Sequence, residues 1–133
     1  ASIQTLPERK YIPLGEEATL YQNEIFYFYP TIAFVQDAPS GRPRISFGAY
    51  LEPSQSVPVR YLKQVETLPA MQMLCAHFRG TYPDAIDFGC QLRLAHPELP
   101  LSDDALHFNI VDQFIETAQE NYITEIQIPI LDA

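Results

Sequence analysis

The stretch TLPERKYIPL, residues 5–14, returns as TLPAMQMLCA, residues 67–76, a shift of 62 positions (67 − 5). Each copy reads as a Thr-Leu-Pro turn leading into a strand. Three shared letters are a weak signal, but the segments downstream correspond as well. SFGAYLEP, which ends at Pro53, parallels ITEIQIPI, which contains Pro129, at a shift of 76 (129 − 53). The second copy is therefore longer by 14 residues (76 − 62), or about four turns at ~3.6 residues per helical turn. The one clear helical pattern lies in that copy. The expectation is a duplicated β(α)ββ unit whose first copy has little or no helix, with the units at about 1–56 and 57–133 of a single domain.

Strands are expected at RKYIPL (9–14), EIFYFYPTIAFV (24–35), RISFGAYL (44–51), AMQMLCAHF (70–78), LHFNIVDQFI (106–115) and YITEIQIPI (122–130). These segments are rich in Ile, Val, Phe and Tyr and bounded by turn residues. APSGRP (38–43) is expected to join the second and third as a hairpin. Residues 83–96 read as a helix, because Ala85, Phe88, Gly89, Leu92 and Ala95 follow helical spacing. Thr81 or Tyr82 is its expected cap, Pro83 and Asp84 suit its first turn, and Pro97 stops it.

The bulk numbers exclude several classes. A chain of 133 residues with 47% apolar and 19% charged residues is an ordinary one-domain protein. No apolar run approaches the roughly 18 residues of a bilayer span, so no membrane partner is expected. A net charge of −9 repels a phosphate backbone and favours a cationic partner. The first residue, Ala1, leads to the expectation of a segment of a longer chain. Cys75 and Cys90 lie in apolar settings without CxxC spacing and read as buried free thiols of a cytoplasmic protein. His77, His96 and His107 lack metal-ligand spacing, and no nucleophile elbow, zinc-protease, P-loop or dinucleotide motif is present, so neither a cofactor nor an enzyme is expected.

The final strand poses the functional question. Thr124, Ile126, Ile128 and Ile130 alternate with Ile123, Glu125, Gln127 and Pro129, which puts a carboxylate in mid-strand. A wet sheet face would account for it, and for Gln127 that reading is preferred. The aromatics argue otherwise for Glu125. Phe26, Tyr27, Phe28 and Tyr29 occupy both faces of one strand, Tyr50 alternates with Ser46 and Gly48 on its hairpin partner, Tyr82 opens the helix and Tyr122 begins the last strand. A flat organic cation needs aromatic faces and one negative charge to offset its desolvation. Glu125 with Tyr27, Phe28, Tyr29, Tyr50 and Tyr82 is the candidate ligand-binding set.

These residues resemble the GyrI-like effector-binding domains, the ligand-sensing halves of MerR-type and AraC-type transcriptional regulators. The likeness runs over residues 67–130, through the TLP strand, HFRGTY (77–82), the helix and TEIQIPI (124–130), which is close to the family's EI-x-x-PI ending. The first half resembles the family through its own TLP strand and the hairpin FYFYPTIAFV…ISFGAYL. The resemblance implies an α+β fold, with duplicated units forming an antiparallel sheet, a helix on one face and a ligand cleft on the other. GEEATLYQN (15–23) departs from it, being too short for the first helix. By the same resemblance Glu125 matches the glutamate that pairs with lipophilic cationic drugs in multidrug-sensing members. The implied partners are hydrophobic, cationic small molecules, DNA only through a DNA-binding domain outside this chain, and a second copy in a full-length homodimer. Two alternatives stay open: a small-molecule hydrolase using Glu125 as general base in the same cleft, and a gyrase-inhibitor-like protein-binding module.

Overall fold

Alternating apolar and polar residues build eight strands in the computed structural model, which describes residues 1–15, 31–52, 57, 59–111 and 118–131. They are β1 (Ser2–Leu6), β2 (Arg9–Gly15), β3 (Thr31–Gln36), β4 (Arg44–Leu51), β5 (Glu66–Leu68), β6 (Met71–Arg79), β7 (Ala105–Val111) and β8 (Ile123–Pro129). All join one sheet in the order β1-β6-β8-β7-β3-β4-β2-β5, and every pairing is antiparallel. Among the described residues one α-helix, α1 (Tyr82–Ala95), links β6 to β7. The Thr81 hydroxyl caps it by accepting from the Asp84 N–H, and Pro83 sits in the first turn.

The duplicated unit is written into the registers. Lys10 of β2 faces Thr67 of β5, and their counterparts 62 positions away, Gln72 of β6 and Thr5 of β1, also face each other. The first strand of each unit is thus exchanged, β1 pairing with β6 and β5 with β2. Two details of the sequence reading change. Thr5-Leu6 and Thr67-Leu68 end the short strands β1 and β5, which were not expected, and only the residues after them turn. The last strands correspond at 79 positions, not 76: Tyr11 faces Tyr50, and its counterpart Met73 faces Pro129 (129 − 50). The second copy is thus longer by 17 residues (79 − 62). Residues 24–30 of the second expected strand, 112–115 of the fifth, Pro53, and residues 16–23 of the segment expected to lack the first helix lie outside the described residues.

The two faces of the sheet bury different things. Leu74, Ala76, Ile126, Ile128 and Ala105 point toward α1, where Ala85, Gly89 and Leu92 meet them and Phe88 packs on Phe78 with ring centroids 5.1 Å apart. Ile12, Ala49 and Leu51 form the equivalent layer on β2 and β4. The opposite face carries Ile32, Met73, Cys75 and Leu106, with Tyr11, Phe34, Tyr50 and Phe108 around them.

That second face is concave. β1 and β2 lie at opposite ends of the strand order yet are joined through Pro7 and Glu8 alone, and Pro69 and Ala70 join β5 to β6 in the same way. Two such links draw the ends of the sheet together. In a flat sheet β2 and β8, four positions apart in the order, would be separated by roughly 19 Å at ~4.8 Å per strand. A side-chain hydrogen bond nevertheless connects them, and it marks the centre of the concave face.

Candidate functional site

Strand parity brings Glu125 and Tyr50 to the concave face. Glu125 lies on β8 between His77 of β6 and Phe108 of β7. Tyr50 of β4 turns its ring edge to Phe108, with centroids 5.5 Å apart and planes at 78°. The carboxylate is neither bare nor on a wet face: its side chain is 25% exposed, its Oε1 lies 3.2 Å from His77 Nε2, and its Oε2 accepts from the Gln127 amide N–H.

Gln127, read from the sequence as a solvated position, is 3% exposed and is the hinge of the site. Its Oε1 accepts from Arg9 Nη1 at 2.8 Å. Because a guanidinium only donates, Gln127 must turn its carbonyl toward Arg9 and its NH2 toward Glu125, whose carboxylate can only accept. The relay Arg9–Gln127–Glu125 therefore has one fixed polarity.

Arg9 is a strand residue that sequence reasoning did not single out. It is 9% exposed, its guanidinium carbon lies 5.3 Å from the Phe108 centroid, and Nη2 reaches the Met73 sulfur at 3.7 Å. Nε is buried and has no hydrogen-bond partner among the described residues. Burial lowers the Arg9 pKa, against the opposing pull of Tyr50, Cys75 and Glu125. Burial also raises the pKa of the Cys75 thiol, and Glu125 adds to that. A signal for Arg9 existed: the shift of 62 sets it against Met71, an apolar position in the other copy.

Gly48 is where the aromatics close in. A Cβ there would stand 3.0 Å from Phe34 Cε2, 3.1 Å from Tyr11 Cδ2 and 3.2 Å from the Ile12 carbonyl oxygen. Its absence lets the Tyr11 and Phe34 rings meet over the strand, with centroids 4.8 Å apart. Two cavities flank this region. One of about 140 Å³ is lined on the concave side by Phe34, Leu68, Met71, Met73, Leu106 and Pro129. A larger one of about 530 Å³ is bordered by Glu8, Arg9, Tyr50, Glu52, Val57 and Leu62.

Of the other candidates, Tyr82 stacks on Tyr122 at the start of the helix, with centroids 5.1 Å apart, and is not gathered around Glu125. Tyr27, Phe28 and Tyr29 lie outside the described residues. Cys75 is a buried free thiol as expected, whereas Cys90 is only partly buried.

No family model and no curated protein sequence matches the chain. Solved structures do. The EcmrR C-terminal domain superposes with a TM-score of 0.64 at 11% identity, over 99% of this chain and 97% of that one. EcmrR in its DNA complex gives 0.63 at 12% identity, and there the chain spans 57% of the EcmrR length. SAV2435 bound to tetraphenylphosphonium gives 0.60 at 15% identity, over 98% of this chain and 93% of that one. A hydrolase encoded by lin2189 from Listeria innocua gives 0.64 at 10% identity, over 98% and 91%. The chain has the fold these proteins share, the GyrI-like fold.

Proposed function

We propose that this chain is a small-molecule sensing domain of a transcriptional regulator, and that it takes lipophilic, aromatic, cationic compounds on the concave face of its sheet. The observation that carries this reading is Glu125, a partly exposed carboxylate amid Tyr50, Phe108 and the apolar face of β6 and β7. A cation placed there gains aromatic faces and a negative charge in a poorly hydrated setting, where both are stronger than in water. The tetraphenylphosphonium bound by SAV2435, on the same fold, supports the ligand class. The 57% span of EcmrR supports a DNA-binding module outside this chain as the route to DNA, and we extend the proposal to a cytoplasmic homodimer. Among the described residues no helix is long and apolar enough to cross a membrane.

Ligand would act by binding one arrangement of the regulator better than another, since only differential affinity shifts a population. Titration with tetraphenylphosphonium and with neutral triphenylphosphine oxide tests the site. Glu125→Gln is expected to weaken the cation by about 1.5–3 kcal/mol, the usual strength of pairing to a charged group, and to spare the neutral probe. Equal losses for both would reduce Glu125 to a residue that shapes the face.

A second reading, hydrolysis in the same cleft, is favoured by the Glu125–His77 contact at 3.2 Å and by the hydrolase among the fold neighbours. Product formed from activated esters, and abolished by Glu125→Gln, would support it over sensing.

A further inference from the structure

We propose that Arg9 is the specificity-determining residue of the concave face: its guanidinium stands where a ligand's cation would, so that a lipophilic cation binds only by displacing it. This rests on the ligand-sensing reading and adds the step that controls entry. A lipophilic cation needs an aromatic surface and a nearby carboxylate. Arg9 already uses both, stacking on Phe108 at 5.3 Å and reaching Glu125 through Gln127. The free domain thus already links its carboxylate to a tethered cation through one amide.

Arg9 is held there below its hydrogen-bonding capacity. Among the described residues, Nη1 has an oxygen acceptor, Nη2 has a thioether sulfur, which accepts weakly, and Nε is buried with no partner. Such under-satisfaction lowers the cost of leaving. A destination is also present. Arg9 borders the cavity of about 530 Å³, whose wall holds Glu8 and Glu52 with Lys10 beside them. The Met73 it touches lines the cavity of about 140 Å³. The smaller cavity is well below the roughly 300–1,000 Å³ that drug-sized ligands occupy. Swinging Arg9 toward Glu8 opens the concave face beside Phe108 and leaves room for a ligand's cation near Glu125, which keeps its contacts with His77 and Gln127. A neutral ligand of the same shape is not repelled by the guanidinium and leaves it in place, so only a cation meets the cost of moving Arg9.

The test compares tetraphenylphosphonium with triphenylphosphine oxide on wild type and Arg9→Met, which keeps an apolar stem and removes the charge. Arg9→Met is expected to bind the cation about tenfold more tightly or better, as removing a like charge at close range requires. The neutral probe is expected to change by less than about threefold, having no charge to be repelled. In ¹⁵N spectra of the wild type, the Arg9 Nε–H is expected to exchange slowly without ligand and rapidly when tetraphenylphosphonium saturates the protein. Equal changes for the two probes in Arg9→Met, weaker cation binding, or an Nε–H still protected in the complex would each overturn the proposal. If Arg9→Met does not fold, the wild-type exchange measurement decides alone. Binding of neither probe to either protein removes the sensing reading and this inference with it. Binding of both by wild type, with no discrimination in Arg9→Met, removes only the role of Arg9.

Discussion

Arg9 and Gln127 should behave as one energetic unit, and a double-mutant cycle measures it. They meet at 2.8 Å, and both are more than nine-tenths buried. Gln127→Leu leaves a buried guanidinium N–H without its acceptor and takes a donor from Glu125, an expected loss of about 2–4 kcal/mol. Arg9→Met leaves only the neutral Gln127 oxygen unpaired and should cost about 1–3 kcal/mol. With both changes neither orphan remains, so the double variant should fall short of the summed losses by about 1.5–3 kcal/mol, the strength of a hydrogen bond to a charged group. Urea unfolding followed by circular dichroism gives the four stabilities. Thermal midpoints should follow at about 3–5 °C per kcal/mol for a domain of this size. Additivity within about 0.5 kcal/mol would mean that the two side chains are neighbours without coupling, and the fixed polarity of the relay would lose its basis.

His107, buried against the helix side of the sheet and facing the Arg93 charge, has its pKa pushed down to about 4 from 6.5. The unfolded imidazole takes up a proton below about pH 6.5 and the folded one does not, so stability is full above that pH and declines by ~3 kcal/mol as pH falls to 4. Urea midpoints from pH 7 to 4 should show a shallower decline in His107→Asn than in wild type. Gly48→Ala should destabilise by about 1–3 kcal/mol, because the added methyl has to move Phe34 or Tyr11. Near-ultraviolet circular dichroism should register the lost Tyr11–Phe34 contact. Thr81→Ala should cost about 1 kcal/mol by removing the acceptor for the Asp84 N–H, read as a lower thermal midpoint.

The helix and the long strands were legible because their periodicity is local. RISFGAYL is β4 residue for residue, and α1 differs from its expected span by one residue at each end. β1 and β5 were not legible: SIQTL is exposed along most of its length, and Glu66–Leu68 is too short to show a period. The repeat could be seen, but no pattern states which copy a strand pairs with, since exchange is decided by the two-residue links and not by propensity. At the site, Glu125 stood out as a charge among aromatics, whereas Arg9, the first residue of an expected strand and flanked by Glu8 and Lys10, carried no local mark of burial. Gln127 was misjudged because burial of an amide depends on a partner 118 residues away.

The exchange of β1 and β5 bears on how the chain is made. On the ribosome, Ser2 to Leu6 emerge well before the residues they pair with, which run from Met71 to Cys75. At about 5–20 residues per second, the interval between strand and partner lasts several seconds. Through that interval β1 is an unpaired strand, the state most open to mispairing with another chain. Its polar composition, Ser2, Gln4 and Thr5 around Ile3, suits that exposure. Neither half of the chain, expressed separately, contains the partner of its own first strand. The duplicated unit is therefore a repeat in sequence but a single cooperative body in folding, and its two halves, supplied as separate chains, should find order only in each other's presence.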